Sequence, residues 1–323
     1  MENFQNKTLL VTGGAGFIGS EFVRTYSSKF KKTFVIDSMT YASDINRIQI
    51  ELDSSNVELI QEDILNIQEY KTLIREVDFI VHFAAESHVD NSITASDIFL
   101  DTNVMGTFKL LELFRKTNVE ARFLYVSTDE VYGSAELPRN EFDILNPSSQ
   151  YSATKAAAEL ICLANYKTHK QNIVITRGCN NYGPFQHGEK FIPNVLTKLL
   201  HGRTAQVYGD GNNVREWIHI SDHCEGIFKV LTLGDSGEIY NIGSGERVSN
   251  NVLVKKILEL LSLPEDLIEY IPDRKGHDLS YSLDSSKINK NLKWIPSISF
   301  NEGLEEVVKW YRDNPAYAQG ILN

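Results

Sequence analysis

The sequence predicts an α/β fold, a doubly wound parallel sheet joined to a smaller, loop-rich C-terminal domain, on three observations. Short β-rich runs alternate with helix-length amphipathic stretches from Lys7 to about Ile175, a glycine-rich turn follows the first run, and the rhythm breaks after Asn180. Strands separated by helix-length segments need crossover connections, and crossovers leave the strands parallel. With 323 residues the chain can bury one large core or two modest ones.

The elements follow in order. "TLLV" reads as a strand, with a helix through "FVRTYSSKF"; "TFVID", "VELIQED" and "DFIVHFAA" read as the next three strands. A helical pattern runs through "NVMGTFKLLELFRK", followed by the strand "RFLYVS", the helix "YSATKAAAELICLANYKTH" and the strand "IVITR". Beyond them, "NNYGPFQHGEKFIPN", "VYGDGNN", "NIGSGERVSNN" and "PDRKGHD" carry turn signals between fewer regular elements. This assigns residues 1–182 to the first domain, with 217–242 returning to it, and 183–216 with 243–323 to the second.

Apolar residues at 42% and charged ones at 23% are ordinary globular values. No run reaches the roughly 18–20 apolar residues of a membrane span, and the N-terminal apolar run is too short for a signal peptide. A cytoplasmic location is therefore expected. Cys162, Cys179 and Cys224 have no paired or metal-like spacing and are expected as reduced packing thiols, with no metal site. The net charge of −11 argues against nucleic-acid binding.

In "LLVTGGAGFIGSEFV" a strand leads through Gly14, Gly16 and Gly19 into a helix beginning near Phe17, and Gly13, Gly16 and Gly19 also keep a three-residue spacing. Glycines allow a tight turn and close backbone approach, so that the helix N-terminus, with Phe17 and Ile18, can meet a diphosphate. The second strand ends at Asp37, whose carboxylate would accept hydrogen bonds from a ribose and repel a 2'-phosphate. With Ser38, Met39 and Thr40 following, NAD is favoured over NADP. Asp63 and Ile64, and the stretch Phe83, Ala84, Ala85 to Ser87, end the next strands and would flank adenine and the inner ribose. Together these features specify a Rossmann-type arrangement.

Tyr151 and Lys155 lie four apart and so on one face of a helix. A neighbouring ammonium favours the phenolate and is expected to lower the phenol's pKa. The preceding loop, "SAELPRNEFDILNPSSQ", is rich in turn formers and able to move. At the end of "RFLYVS", "TDEVYG" sets Thr128, Asp129 and Glu130 in a row. Buried unpaired carboxylates are costly, and consecutive side chains of a straight strand face opposite ways. The two acids can serve one site only if a turn or short helix begins at Asp129.

The stretches "TGGAGFIGS", "HFAAESHVDNS", "STDEVYG", "YSATKAAAE", "NNYGPFQHGEKFIP", "VYGDGNNVREWIH", "YNIGSGERVSN" and "DRKGHD" resemble the extended short-chain dehydrogenase/reductase family, and within it the nucleotide-sugar 4,6-dehydratases. The likeness covers nearly the whole chain. It implies an NAD-dependent lyase that oxidises C4 of the glucose in dTDP-glucose or UDP-glucose, eliminates water across C5 and C6 and returns the hydride to C6. It further implies a homodimer and these catalytic roles: Thr128 on the C4 oxygen, Tyr151 as its base, Lys155 on the nicotinamide ribose, Glu130 as C5 base and Asp129 as acid for the C6 oxygen.

By the same resemblance Thr102 and Asn181 lie near the cofactor. Ser87, Asn180, Glu189, Lys190, Gln206, Val207, Tyr208, Asn250 and His277 contact the substrate, with Arg215 and Arg274 gripping its phosphates. Asn103 in "TNVMGT" matches the family's helix asparagine, or else makes a structural hydrogen bond. Cys179, Gln206 and "REWIH" depart from the commonest family forms. Thymine and uracil differ by one methyl, worth at most about 1 kcal/mol of burial, which leaves the two nucleotides open. A UDP-sugar 4-epimerase or decarboxylase is the alternative on the same scaffold, and an epimerase has no need of the Thr-Asp-Glu run; a non-catalytic NAD-binding protein has no need to keep the catalytic set.

Overall fold

Alternation along the strands builds the core. β1 (Thr8–Thr12), β2 (Lys32–Asp37), β3 (Val57–Gln61), β4 (Phe79–His82), β5 (Arg122–Thr128) and β6 (Ile173–Gly178) appear where the apolar runs lie. Leu9, Val11, Val35, Leu124, Val126 and Val174 join one buried cluster, while Leu10, Ile36, Phe123, Tyr125, Ile173 and Ile175 join another. The strand period of two thus sends neighbours to opposite faces, both covered by helices. Each fully buried side chain of this size contributes about 1.5–3 kcal/mol. The computed structural model describes residues 4–118, 120–273 and 277–320, without the side chains of residues 68 and 318–320.

Among the described residues six further strands follow: β7 (Asn180–Tyr182), β8 (Ala205–Tyr208), β9 (Val214–His219), β10 (Ile239–Ile242), β11 (Arg247–Ser249) and β12 (Ile268–Ile271). The main sheet has the order β10-β6-β5-β4-β1-β2-β3, with every pairing parallel. Strand order reverses between β1 and β4, and such a switch point opens a crevice at the carboxyl ends. The helix Ile220–Leu233 packs Ile220, Cys224, Ile227 and Val230 into the first cluster and leads to β10.

The smaller sheets are β11-β9-β7 and β12-β8. Helices Phe191–Leu200, Asn250–Leu261 and Phe300–Asp313 enclose a third cluster that includes Val195, Leu196, Trp217, Leu253, Ile257, Leu304 and Val307. The later half is more regular than its turn-rich stretches suggest, because those turns sit at the joins between helices and strands. No described helix is long and apolar enough to cross a membrane. The three cysteines are buried and unpaired by disulfides.

Candidate active site

A cleft of about 640 Å³ runs along the carboxyl ends of the main sheet and is lined on its other side by residues of β8 and β9. Its first wall is made of backbone. Gly13 sits at φ +70, and a Cβ there would come 2.6 Å from the Ala84 nitrogen. A Cβ at Gly19 would overlap the Gly13 carbonyl oxygen. No side chain caps the helix Phe17–Tyr26, which leaves first-turn N–H groups for an anion. Beside them Asp37, 5% exposed, accepts from Ala15 N at 2.9 Å through Oδ2 and from Met39 N and Ser43 Oγ at 2.9 and 2.7 Å through Oδ1. A carboxylate offers about four acceptor sites, so one is left toward the cleft. These donors and this acceptor suit a diphosphate flanked by a ribose.

The second wall is made of side chains. β5 ends at Thr128, and a single 3₁₀ turn, Asp129–Tyr132, begins there as the adjacent acids require. Thr128 Oγ1 accepts from Glu130 N at 3.3 Å and donates to Asp129 Oδ1 at 3.2 Å. Asp129 is 3% exposed, and its Oδ2 has no hydrogen-bond partner among the described residues. Burial, then the charges of Glu130 and Glu216, hold its carboxyl well above the usual carboxylate range.

The 3₁₀ turn rests on a buried network. Tyr132 OH accepts from Arg177 at 2.7 Å and donates to Asn241 Oδ1 at 2.9 Å, and Arg177 Nε donates to Glu159 Oε2 at 3.0 Å. Gly133, at φ +69, lies against the Asn146 carbonyl, where a Cβ would collide. Asn146 N in turn donates to Val131 O at 3.0 Å, and Ala135 N and Arg139 N to Ser280 O and Ser282 O at 2.8 and 2.9 Å. The loop before Tyr151, rich enough in turn formers to move, is held at these points.

Helix Gln150–His169 begins with a capping box of Ser149 and Ser152 and brings Tyr151 and Lys155 into the cleft. The expectation of a lowered phenol pKa needs correcting. Lys155 Nζ donates to Val126 O at 2.7 Å and lies 4.4 Å from the centre of the Tyr125 ring, so its charge is spent on these groups. Burial, then Glu130, push the Tyr151 phenol up, while burial pulls Lys155 down to about 8. Asn103 lies in a π-helical stretch, Leu100–Gly106, and clamps the backbone of Glu86: Oδ1 accepts from its N at 2.8 Å and Nδ2 donates to its O at 3.0 Å. Nδ2 also donates to Thr154 Oγ1 at 3.0 Å. Here the structural hydrogen bond is the outcome.

The far half of the cleft carries Asn180, Glu189, Lys190, Gln206, Tyr208, Arg215 and His277. Arg215 donates to Asp278 O at 2.9 Å and lies over the Tyr281 ring at 4.5 Å, which holds the guanidinium flat. Lys190 Nζ donates to Ser87 O at 2.9 Å and joins the two halves.

The family model for GDP-mannose 4,6 dehydratase matches residues 10–307. The chain belongs to this family, within the extended short-chain dehydrogenases/reductases. A dTDP-glucose 4,6-dehydratase of Streptomyces niveus is 43% identical over 96% of this chain and 94% of its own. A low-salt glycan biosynthesis protein of Haloferax volcanii is 46% identical over 94% of this chain and 98% of its own. The crystal structure of DesIV, a dTDP-glucose 4,6-dehydratase from Streptomyces venezuelae with NAD bound, superposes with TM-score 0.95 at 44% identity, covering 97% of this chain and 99% of that one.

For this dehydratase-family chain most sequence-predicted positions fall on one cleft: the catalytic five, Gly13, Gly16, Phe17, Ile18, Gly19, Asp37, Ser38, Thr40, Asp63, Ile64, Phe83, Ala84, Ala85, Ser87, Thr102 and Asn181. Three do not line it. Met39, at φ +55, turns its N–H back to Asp37. Val207 alternates with Gln206 and Tyr208 on β8 and faces the core, fully buried. Asn250 opens a helix, 8% exposed, with its N–H donated to Asn213 O at 3.1 Å. Arg274 lies outside the described residues. Sequence reasoning missed Ser127, beside Thr128 on β5, and also Gln186, Lys198, His223 and Tyr281, which line the cleft from other elements. Only tertiary contact reveals these last four.

Proposed function

We propose that this chain is an NAD-dependent hydro-lyase that converts dTDP-glucose to its 4-keto-6-deoxy sugar and water. The observation that carries this is the Thr128–Asp129–Glu130 turn facing the same cleft as Tyr151 and Lys155, with Asp129 buried and pushed toward its protonated form. An epimerase on this scaffold has no use for a protonated acid at that point.

Thr128 donates to the C4 oxygen of the glucose and Tyr151 takes the C4 hydroxyl proton. NAD, when bound, would supply the acceptor for the C4 hydride and the donor to C6, and its positive ring would favour the phenolate at Tyr151. Lys155 holds the nicotinamide ribose. Once C4 is a ketone the C5 proton is acidic; Glu130 removes it and gives a proton back to C5 when the hydride reaches C6. Asp129, whose carboxyl is pushed toward the protonated form by burial and by the neighbouring Glu130 and Glu216 charges, gives its proton to the departing C6 hydroxyl. Gly13, Gly16 and Gly19 cradle the cofactor diphosphate and Asp37 takes its adenosine ribose. Lys190, Arg215 and His277 hold the sugar nucleotide, with Gln206 and Tyr208 beside the base and with Ser87, Asn180 and Glu189 against the same ligand.

Residues 1–182 and 217–242 hold NAD, while 183–216 and 243–323 hold the sugar nucleotide; the main sheet of β1–β6 and β10 supports this division, and the small sheet β11-β9-β7 spans the join. The cytoplasm, where nucleotide sugars and NAD meet, is the working location. Exposed Ile93, Ile98, Leu100, Met105, Phe108 and Leu160 support a homodimer, which a sedimentation mass checks.

Incubation with dTDP-glucose and with UDP-glucose, without added NADH and followed by mass spectrometry, tests the reading. It expects a product lighter by one water from dTDP-glucose. An isomer of unchanged mass overturns it, and equal turnover of UDP-glucose removes the nucleotide preference.

A further inference from the structure

His223 lies at the back of the cleft on the helix Ile220–Leu233, 1% exposed. Neither of its ring nitrogens has a hydrogen-bond partner among the described residues. Buried polar groups are rarely left so, and an imidazole that lines a ligand cleft with both nitrogens unpaired points to a ligand atom as the partner.

Its place in the sheet says which part of the ligand. His223 packs on Gly178, where an added Cβ would collide with Nε2. Gly178 is the register partner of Thr128 on the neighbouring strand. His223 therefore stands at the same end of the cleft as Thr128, Tyr151 and Lys155, where the hydride is exchanged. Burial pulls the ring down to about 3, so near neutral pH it is uncharged and carries one donor and one acceptor. The two ring nitrogens point apart, so one of them meets the ligand; a primary carboxamide offers both a donor and an acceptor and so matches whichever faces it, and an uncharged imidazole does not repel a positively charged pyridinium ring.

We propose that His223 hydrogen-bonds the carboxamide of the nicotinamide and so fixes the orientation of that ring. The missing side chain at residue 178 makes the room for this imidazole. The inference rests on the NAD reading above.

Binding of NAD and of ADP-ribose, which shares everything but the nicotinamide, is measured calorimetrically on the full chain for wild type, His223→Leu and His223→Gln. His223→Leu weakens NAD about tenfold, the worth of one neutral hydrogen bond, and leaves ADP-ribose unchanged; His223→Gln, which keeps a donor and an acceptor, retains most of the NAD affinity. Equal weakening of both ligands, or of neither, overturns the proposal. On the unaltered protein, the ring-nitrogen resonances of His223 shift with NAD and not with ADP-ribose; equal shifts overturn it without any variant. A wild-type chain that binds neither ligand overturns the NAD reading itself, a separate outcome.

Discussion

The turn after β1 and the turn after β5 are the same join, a strand passing into a helix at the carboxyl edge of one parallel sheet, and they are built in opposite ways. The first offers almost nothing but backbone: Gly13 at φ +70, Gly19 pressed on the Gly13 carbonyl, and an uncapped helix N-terminus. The second offers side chains, Thr128, Asp129 and Glu130, and needs a foundation for them in the Tyr132, Arg177, Glu159 and Asn241 network. A binding turn made of backbone demands the absence of a Cβ and little else. A catalytic turn made of side chains demands support from elements far away in sequence, because a misplaced acid is useless.

The comparison can be broken first at the chemistry. Tyr151→Phe lowers the dehydration rate by about 10⁴-fold with NAD affinity unchanged, read by steady-state kinetics and calorimetry; a matching loss of NAD binding would merge the two roles. Asp129→Asn lowers water loss by about 10³-fold while C4 oxidation continues, so reduced cofactor accumulates in single-turnover absorbance. Equal loss of both steps would remove the acid role from Asp129.

At the backbone turn the effects are smaller. Gly19→Ala forces the turn away from the Gly13 carbonyl and weakens NAD binding about tenfold to a hundredfold, the ~1–3 kcal/mol of a displaced backbone. Gly133→Ala lowers stability by about 1–3 kcal/mol in thermal unfolding, since alanine is strained at φ +69 and meets the Asn146 carbonyl. The smallest effect is a slope. Lys155 holds a folded value of about 8 against its ordinary 10.5, so the unfolded chain binds more protons between those limits and stability rises with pH across that window. Lys155→Met, followed by urea midpoints at the two ends of the window, lacks this rise.

Much of this was legible in order along the chain. The apolar runs marked β1 to β6, and the glycine spacing, Asp37 and the Tyr151–Lys155 interval marked the NAD side, because each signal is local. The step from strand to 3₁₀ turn at Asp129 was legible too, since adjacent acids serving one ligand cannot lie in a straight strand. Val207 was misplaced because a motif names residues while the strand period decides which of them faces the cleft. The Lys155 effect on Tyr151 was misjudged because spacing puts two residues on one helix face without saying where the ammonium points; the Val126 carbonyl takes it.

By itself, the sequence determined the fold class and the family and named the candidate side chains that the cleft gathers, since these depend on periodicity and on short motifs that carry their own geometry. The tertiary structure alone decided the upward push on the Asp129 carboxyl, the cation at Arg215 held over Tyr281 and the imidazole of His223 without a partner among the described residues. Each of these depends on burial and on neighbours from distant elements, and desolvation is a property of the packed molecule that no local stretch of chain contains.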